Sequence, residues 1–360
     1  MSVTLGDSTP WAPPTPEEQV LFLRNIQRLL AEGLFVASYK FALLHVLADL
    51  AVLKGDDTGA PLDLDTKDIA AKFVELYWRQ SRPFQAGGGN AGLILQQNTG
   101  KQAAVVSHIV EAQQECGGSL FRLKQADPAH WSSLVSEIDE VVRVMPLWKL
   151  QTVGDERLDF LYDNVDRGTK ITLKPGVAYC LRAFYELLRD LVQGAWVRFV
   201  QKVNAKNVGN ITDLGTFLFG NERTNLEAYR PILTDIQKGA CLYCGKPLPR
   251  SSQVDHFVPW SRYPADLGHN FVLAHVGCNH AKSDYLAAED HLAAWSERNR
   301  LNREELLVRL REAALPCDLS ASLQIAQWAY EQTEKANGQV WVMERTLRHL
   351  SPTWRECFAA

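Results

Sequence analysis

Four residues in two pairs have the chemistry to hold a soft metal ion. Cys241 and Cys244 form a CxxC pair, and His275 and Cys278 an HxxC pair. Three thiolates and an imidazole at these spacings are a tetrahedral donor set for structural zinc. The plain alternative is buried thiols and an unrelated histidine, and four ligands in two such pairs weigh against it. Zinc there would pin both ends of a module too small to hold itself. Between the pairs, Asp255 and His256 end a short apolar strand. Adjacent strand side chains point to opposite faces, so the two converge only around a twist or through a shared metal and water. An exposed pair on a turn is the bland reading. Beyond the second pair, Asn279 and Lys282 are three apart at the start of a helix and share one face. A hard divalent cation takes oxygen ligands, which Asp255 and Asn279 offer. His256 is placed to deprotonate a water, and Lys282 to stabilise charge on a phosphate. These are the parts of metal-assisted phosphodiester hydrolysis.

Taken together, residues 241–284 resemble the HNH endonuclease family and its ββα-metal fold, in the zinc-bearing CxxC…HxxC form. The matching residues are Asp255-His256, Asn270 in GHNFVLAH and Asn279 in CNHAKSD. His275 stands where many members have Cys, a zinc-compatible departure. The resemblance implies His256 as general base, with Asp255 and Asn279 holding catalytic Mg2+ or Mn2+. It implies Asn270 as a brace between the two strands that orients His256. Lys282 is expected near phosphate and Asp284 behind the site. His280, next to Asn279, is an alternative metal ligand. His269 and His291 read as surface histidines.

A nuclease also needs a groove that tracks phosphates. Arg223 and Arg230 are seven apart, and with Lys238, Lys246, Arg250 and Arg262 they are candidates to line it. Solvated surface charge is an equal reading. Trp260 and Tyr263 read as packing residues more than base-stacking ones.

Other elements must position this segment, and most read as helices. Thr15-Pro16-Glu17-Glu18 is a helix start, and Gly33 is its end. Further helices are expected over 37–53, from 65 to Pro83, and over 91–115, 128–144 and 176–203. Alternation over 158–174, around Asp166-Arg167-Gly168, predicts a β-hairpin. Gly87-Gly88-Gly89 is a flexible break and not a phosphate loop, because no Lys-Ser or Lys-Thr follows it. Residues 204–220 read as a linker. After Asp284, helices are expected over 287–299, 302–313, 319–335 and 340–350.

The chain of 360 residues has material for two domains. A net charge of -4 argues against general coating of nucleic acid but leaves room for a local basic groove. No apolar run approaches the ~18–20 residues that span a bilayer, and the N-terminus lacks a signal-peptide pattern. A cytoplasmic protein is expected. Its seven cysteines, three at ligand spacing, suit one metal site and not a disulfide framework.

The expected fold class is mainly α. A disordered stretch over 1–15 precedes a mostly helical domain over 16–220, for recognition or partner docking. An HNH module over 221–300 and C-terminal helices over 301–360 follow. The expected function is a DNA endonuclease or nickase. Its role would be that of a bacterial anti-phage effector licensed by a partner protein or complex. A restriction-type enzyme with its own recognition domain, or a non-catalytic zinc-stabilised nucleic-acid-binding module, are the alternatives.

Overall fold

The computed structural model describes residues 11–84, 92–164, 168–208, 214–220 and 226–358. The chain divides into two compact units, residues 1–220 and 221–360. It is mainly helical, as expected, with short two-stranded sheets.

The first unit runs α1 (Pro16–Glu32), α2 (Tyr39–Lys54), β1 (Leu62–Asp65), α3 (Thr66–Trp78), α4 (Ala104–Cys116), α5 (Leu120–Ala126) and α6 (Pro128–Val144). It continues α7 (Pro146–Lys149), β2 (Thr152–Val153), β3 (Glu156–Arg157), β4 (Lys170–Leu173), α8 (Val177–Ala183), α9 (Tyr185–Val208) and α10 (Leu214–Phe219). α1 starts on a full capping box: Thr15 accepts from the Glu18 amide and Glu18 returns the bond. α2 is apolar on nearly every side and is buried along its length, which makes it the unit's central helix. Trp196 of α9 is fully buried and packs on Phe41 and Tyr77. Its indole N–H, which burial would otherwise orphan, donates to Gln97 Oε1 at 2.8 Å.

Several expected elements differ. The helix expected over 91–115 starts only at Ala104, because Ser38 and Thr99 amides pair the preceding stretch with the segment before α2. The expected hairpin over 158–174 does not form as a ladder. Its outer strand, β4, pairs with β1 over four residues, Leu62 facing Leu173. Among the described residues its two limbs share a single bridge, Tyr162 with Leu173. Its expected turn at Asp166-Arg167, like Gly87-Gly88-Gly89, lies outside the described residues. The helix expected over 176–203 is two helices that break at Phe184. The stretch 204–220 is in part helical, in α9 and α10, and residues 209–213 lie outside the described set.

The second unit holds α11 (Arg230–Ile236), β5 (Gln253–His256), β6 (Phe271–Ala274), α12 (Val276–Lys282), α13 (Glu289–Leu301), α14 (Arg303–Glu312) and α15 (Leu319–Lys335). β7 (Gln339–Met343) and β8 (Thr346–His349) follow. These last two replace the helix expected over 340–350. Val340 and Trp341 are buried and Gln339 is exposed, and the β-branched, aromatic-rich run suits a pleated surface better than a helix. β5 and β6 are antiparallel, with His256 opposite Phe271 and Gln253 opposite Ala274. Tyr229, Ile232 and Leu233, with Leu306 and Leu310 of α14, bury Val254, Phe271 and Leu273 in one cluster. Phe257 stacks flat on Trp295 of α13 at 4.9 Å. The C-terminal helices thus share a core with the hairpin.

Candidate active site and metal centre

The zinc-type donors come first because they fix the frame. Cys241, Cys244, His275 and Cys278 place their ligand atoms all within 4.8 Å of one another. A Zn–S bond of about 2.3 Å puts tetrahedral ligands roughly 3.5–4 Å apart, so the set fits zinc. Two bonds close the knuckle around the first pair. Cys241 N donates to Lys246 O, and Gly245 N to Cys241 O, each at 2.9 Å. Gly245 takes a φ of +68°, which a side chain would oppose. His275 Nδ1 faces Cys244 Sγ at 3.2 Å. Its Nε2 lies 3.0 Å from the Pro247 carbonyl, an acceptor only. That nitrogen therefore carries the hydrogen and leaves the Nδ1 lone pair for a metal, the usual arrangement behind a ligating histidine. Burial, and then Cys241 and Cys244, push the Cys278 thiol up to about 12. A bound cation reverses that penalty by holding the thiolates.

The hairpin and α12 carry the second set. Asn270 staples the turn after β5: its Oδ1 accepts from Val258 N at 2.8 Å and its Nδ2 donates to Val258 O at 3.0 Å. Its backbone carbonyl accepts from Phe257 N. Arg298 of α13 secures the carbonyls on either side, donating to His269 O at 2.8 Å and Phe271 O at 2.6 Å. Trp295 Nε1 also donates to His269 O. Asn270 is buried and so is its frame.

Asp255 and His256 point into different surroundings. Asp255 Oδ2 accepts from the Tyr243 hydroxyl at 2.5 Å and lies 3.2 Å from Lys282 Nζ. Burial, and then Asp255, hold the Tyr243 hydroxyl well above the usual phenol range, so it remains a donor. His256 is partly exposed, with Nε2 2.8 Å from Asp266 Oδ1. Its ring meets Phe271 and Trp260 edge-on. Asn279 donates from Nδ2 to Gln253 Oε1 at 2.9 Å, which leaves its Oδ1 as the oxygen for a cation. Gln253 and Asp255 are two apart on β5, and Asn279 and Lys282 three apart on α12. One strand face therefore runs along one helix face. A carboxylate and an amide oxygen are hard donors of the kind that Mg2+ or Mn2+ takes.

The structure brings Asp255, His256, Asn270, Asn279 and Lys282 together in one hairpin and helix. It places some of them differently from expectation. Lys282 is fully buried, with its ammonium between Asp255 and the His256 carbonyl, which accepts from it at 2.9 Å. A surface contact with phosphate needs a different position. His269 and His291 are buried and not surface residues. His269 sits under the Arg298 clamp. His291 stacks on Trp341 and pairs its Nε2 with Val342 O. Tyr263 is buried against Trp328, a packing residue. His280 is exposed, as are Lys238, Lys246 and Arg250, while Arg262 is half-buried. Arg230 is tied to Glu227 and to Ser252 Oγ. Arg223 lies outside the described residues. Asp284 accepts from Ser261 Oγ at 3.1 Å.

Tyr243, Gln253, Asp266 and Arg298 went unseen in the sequence. Only Tyr243 had a local signal, its place inside the CxxC pair. The other three reach the site across 10 to 27 residues of chain, which spacing rules do not capture.

Residues 241–285 match a family model described as HNH endonuclease. Comparison with curated proteins and with solved structures returned no match. The matched stretch opens on the first zinc-type ligand and closes just past α12, so the whole ββα arrangement lies inside the HNH match, and the Cys3His cluster fits the zinc-bearing form of that family.

Proposed function

We propose that the protein is a divalent-metal-dependent endonuclease that hydrolyses DNA phosphodiester bonds. One observation carries this reading. A partly exposed imidazole, backed by a carboxylate, adjoins a second carboxylate that faces Asn279's helix, all within one HNH hairpin. Asp255 and Asn279 would hold Mg2+ or Mn2+, which supplies Lewis-acid stabilisation of charge on the scissile phosphate. His256 takes the proton from the attacking water. Asp266 receives the hydrogen on His256 Nε2 and so keeps the Nδ1 lone pair free for that work. Asn270 fixes the backbone from His256 to Val258. Lys282 acts from behind Asp255 as a positioning residue. Exposed Lys246 and Arg250, with Arg262, are the cations nearest in sequence for a phosphate track; Arg223 and Arg230 are the remaining candidates.

The first unit has its own core and, among its described residues, no group of metal-ligating side chains. We read it as the part that directs or restrains cutting, in the manner of an anti-phage effector licensed by a partner in the cytoplasm.

The test is supercoiled plasmid with Mg2+ or Mn2+. One catalytic set cuts one strand per event, so nicked circles should precede linear product. His256→Ala should abolish nicking, by at least about a hundredfold, with zinc content and melting unchanged. Tight DNA binding without cutting under either metal would overturn the nuclease. Robust, sequence-defined cutting by the protein alone would overturn the licensed-effector role.

A further inference from the structure

The knuckle that carries two zinc-type ligands also grips the carboxylate of the second metal set. Tyr243 lies between Cys241 and Cys244 in sequence, and its hydroxyl bonds Asp255 Oδ2. Its ring cannot drift, because His291 and Trp341 meet it edge-on at 5.4 and 5.2 Å. Lys282 Nζ sits 6.0 Å from the ring centroid and reaches the same Oδ2. Two donors therefore converge on one oxygen. One belongs to the knuckle, and the other to α12, whose first turn holds Cys278. Both are fixed by the frame that the Cys3His cluster ties together. With Oδ2 committed, Oδ1 is the oxygen that would meet a cation.

We propose that Tyr243 is a positioning residue for the catalytic cation: its hydroxyl, held by the zinc knuckle, sets the orientation in which Asp255 offers Oδ1. The proposal rests on reading Asp255 as a cation ligand. It makes the structural metal more than a staple, since the state of the knuckle then governs how well the second metal binds. Partners behind a ligating group typically change metal affinity by about 10–100-fold.

The experiment uses full-length protein without DNA. Mn2+ is titrated and the free ion followed by electron paramagnetic resonance. Tyr243→Phe keeps the ring and removes only the hydroxyl. It should stay folded, retain its zinc, and weaken Mn2+ binding by about tenfold. Asp255→Asn is the second arm and should weaken binding at least as much. Adding Tyr243→Phe to Asp255→Asn should then change little, because both act through one hydrogen bond. Wild-type Mn2+ affinity in Tyr243→Phe would overturn the proposal, and so would full additivity in the double variant. These outcomes stand apart from the nuclease reading. A protein that shows this Mn2+ pattern but never cuts plasmid loses the nuclease and keeps the role of Tyr243. One that cuts plasmid while Tyr243→Phe binds Mn2+ normally does the reverse.

Discussion

His256 and Asp266 face each other at 2.8 Å across the loop that joins the two hairpin strands. Both side chains are largely shielded, with relative exposures of 17% and 10%. An imidazole held this way has one tautomer and one orientation, which is what a general base needs. Asp266→Asn can still meet His256 Nε2 but favours the wrong hydrogen placement. It should lower the nicking rate by about tenfold or more while KM for plasmid stays near wild type. A loss confined to KM would show that Asp266 serves binding instead.

The Cys3His cluster makes a stability prediction. Structural zinc sites contribute on the order of 10 kcal/mol of apparent binding free energy. Cys278→Ser should lose zinc and lower the melting of the second unit by about 10 °C or more. Calorimetry resolves this if the first unit's transition stays in place. An unchanged second transition in a zinc-free variant would refute a folding role for the metal.

His269 predicts acid sensitivity. It is fully buried, and neither ring nitrogen has a hydrogen-bond partner. Burial, and then the Arg298 guanidinium, pull the imidazole from 6.5 down to about 4. The unfolded chain therefore takes up a proton near 6.5 that the folded chain refuses until about 4. The associated stability is fully present above 6.5 and is lost as pH falls towards 4. Its size is at most about 3 kcal/mol. Urea midpoints from pH 7 to pH 4 should fall in the wild type, and fall less in His269→Leu. Parallel curves for the two proteins would show that another group is responsible.

Much of the candidate site was legible in the sequence because its signals are local. CxxC, HxxC, Asp255-His256 and the Asn279 helix each sit within a few residues. The same is true of α1, whose cap at Thr15 marks its start. Three of the misreadings involve partners far apart in the chain. β4 chose β1, more than a hundred residues upstream, over its own neighbour. His269 looked like a surface residue because Arg298 and Trp295, which cover it, lie on a later helix. Lys282 looked like a phosphate contact for the same reason: Tyr243 and Asp255 enclose it from other elements.

Ser283 ends α12 at φ 48° and ψ -130°, a conformation that suits glycine and strains a residue with a Cβ. Its side chain is exposed. Ser283→Gly should raise stability by about 1 kcal/mol, read as a higher urea midpoint at unchanged slope. A lower midpoint would mean that the serine side chain makes up for the strain.

α12 has only seven residues, yet it carries Cys278 for one metal, Asn279 for the other and Lys282 behind Asp255. Each residue of a helix turns about 100° from the last. One residue gained or lost between Cys278 and Lys282 would thus swing the later groups a quarter-turn or more while the zinc pair stayed anchored. The helix works as a ruler with no slack. Substitutions can drift along it, but its length and phase cannot, and lineages of this module should tolerate insertions in the loop between β5 and β6 far better than in these seven positions.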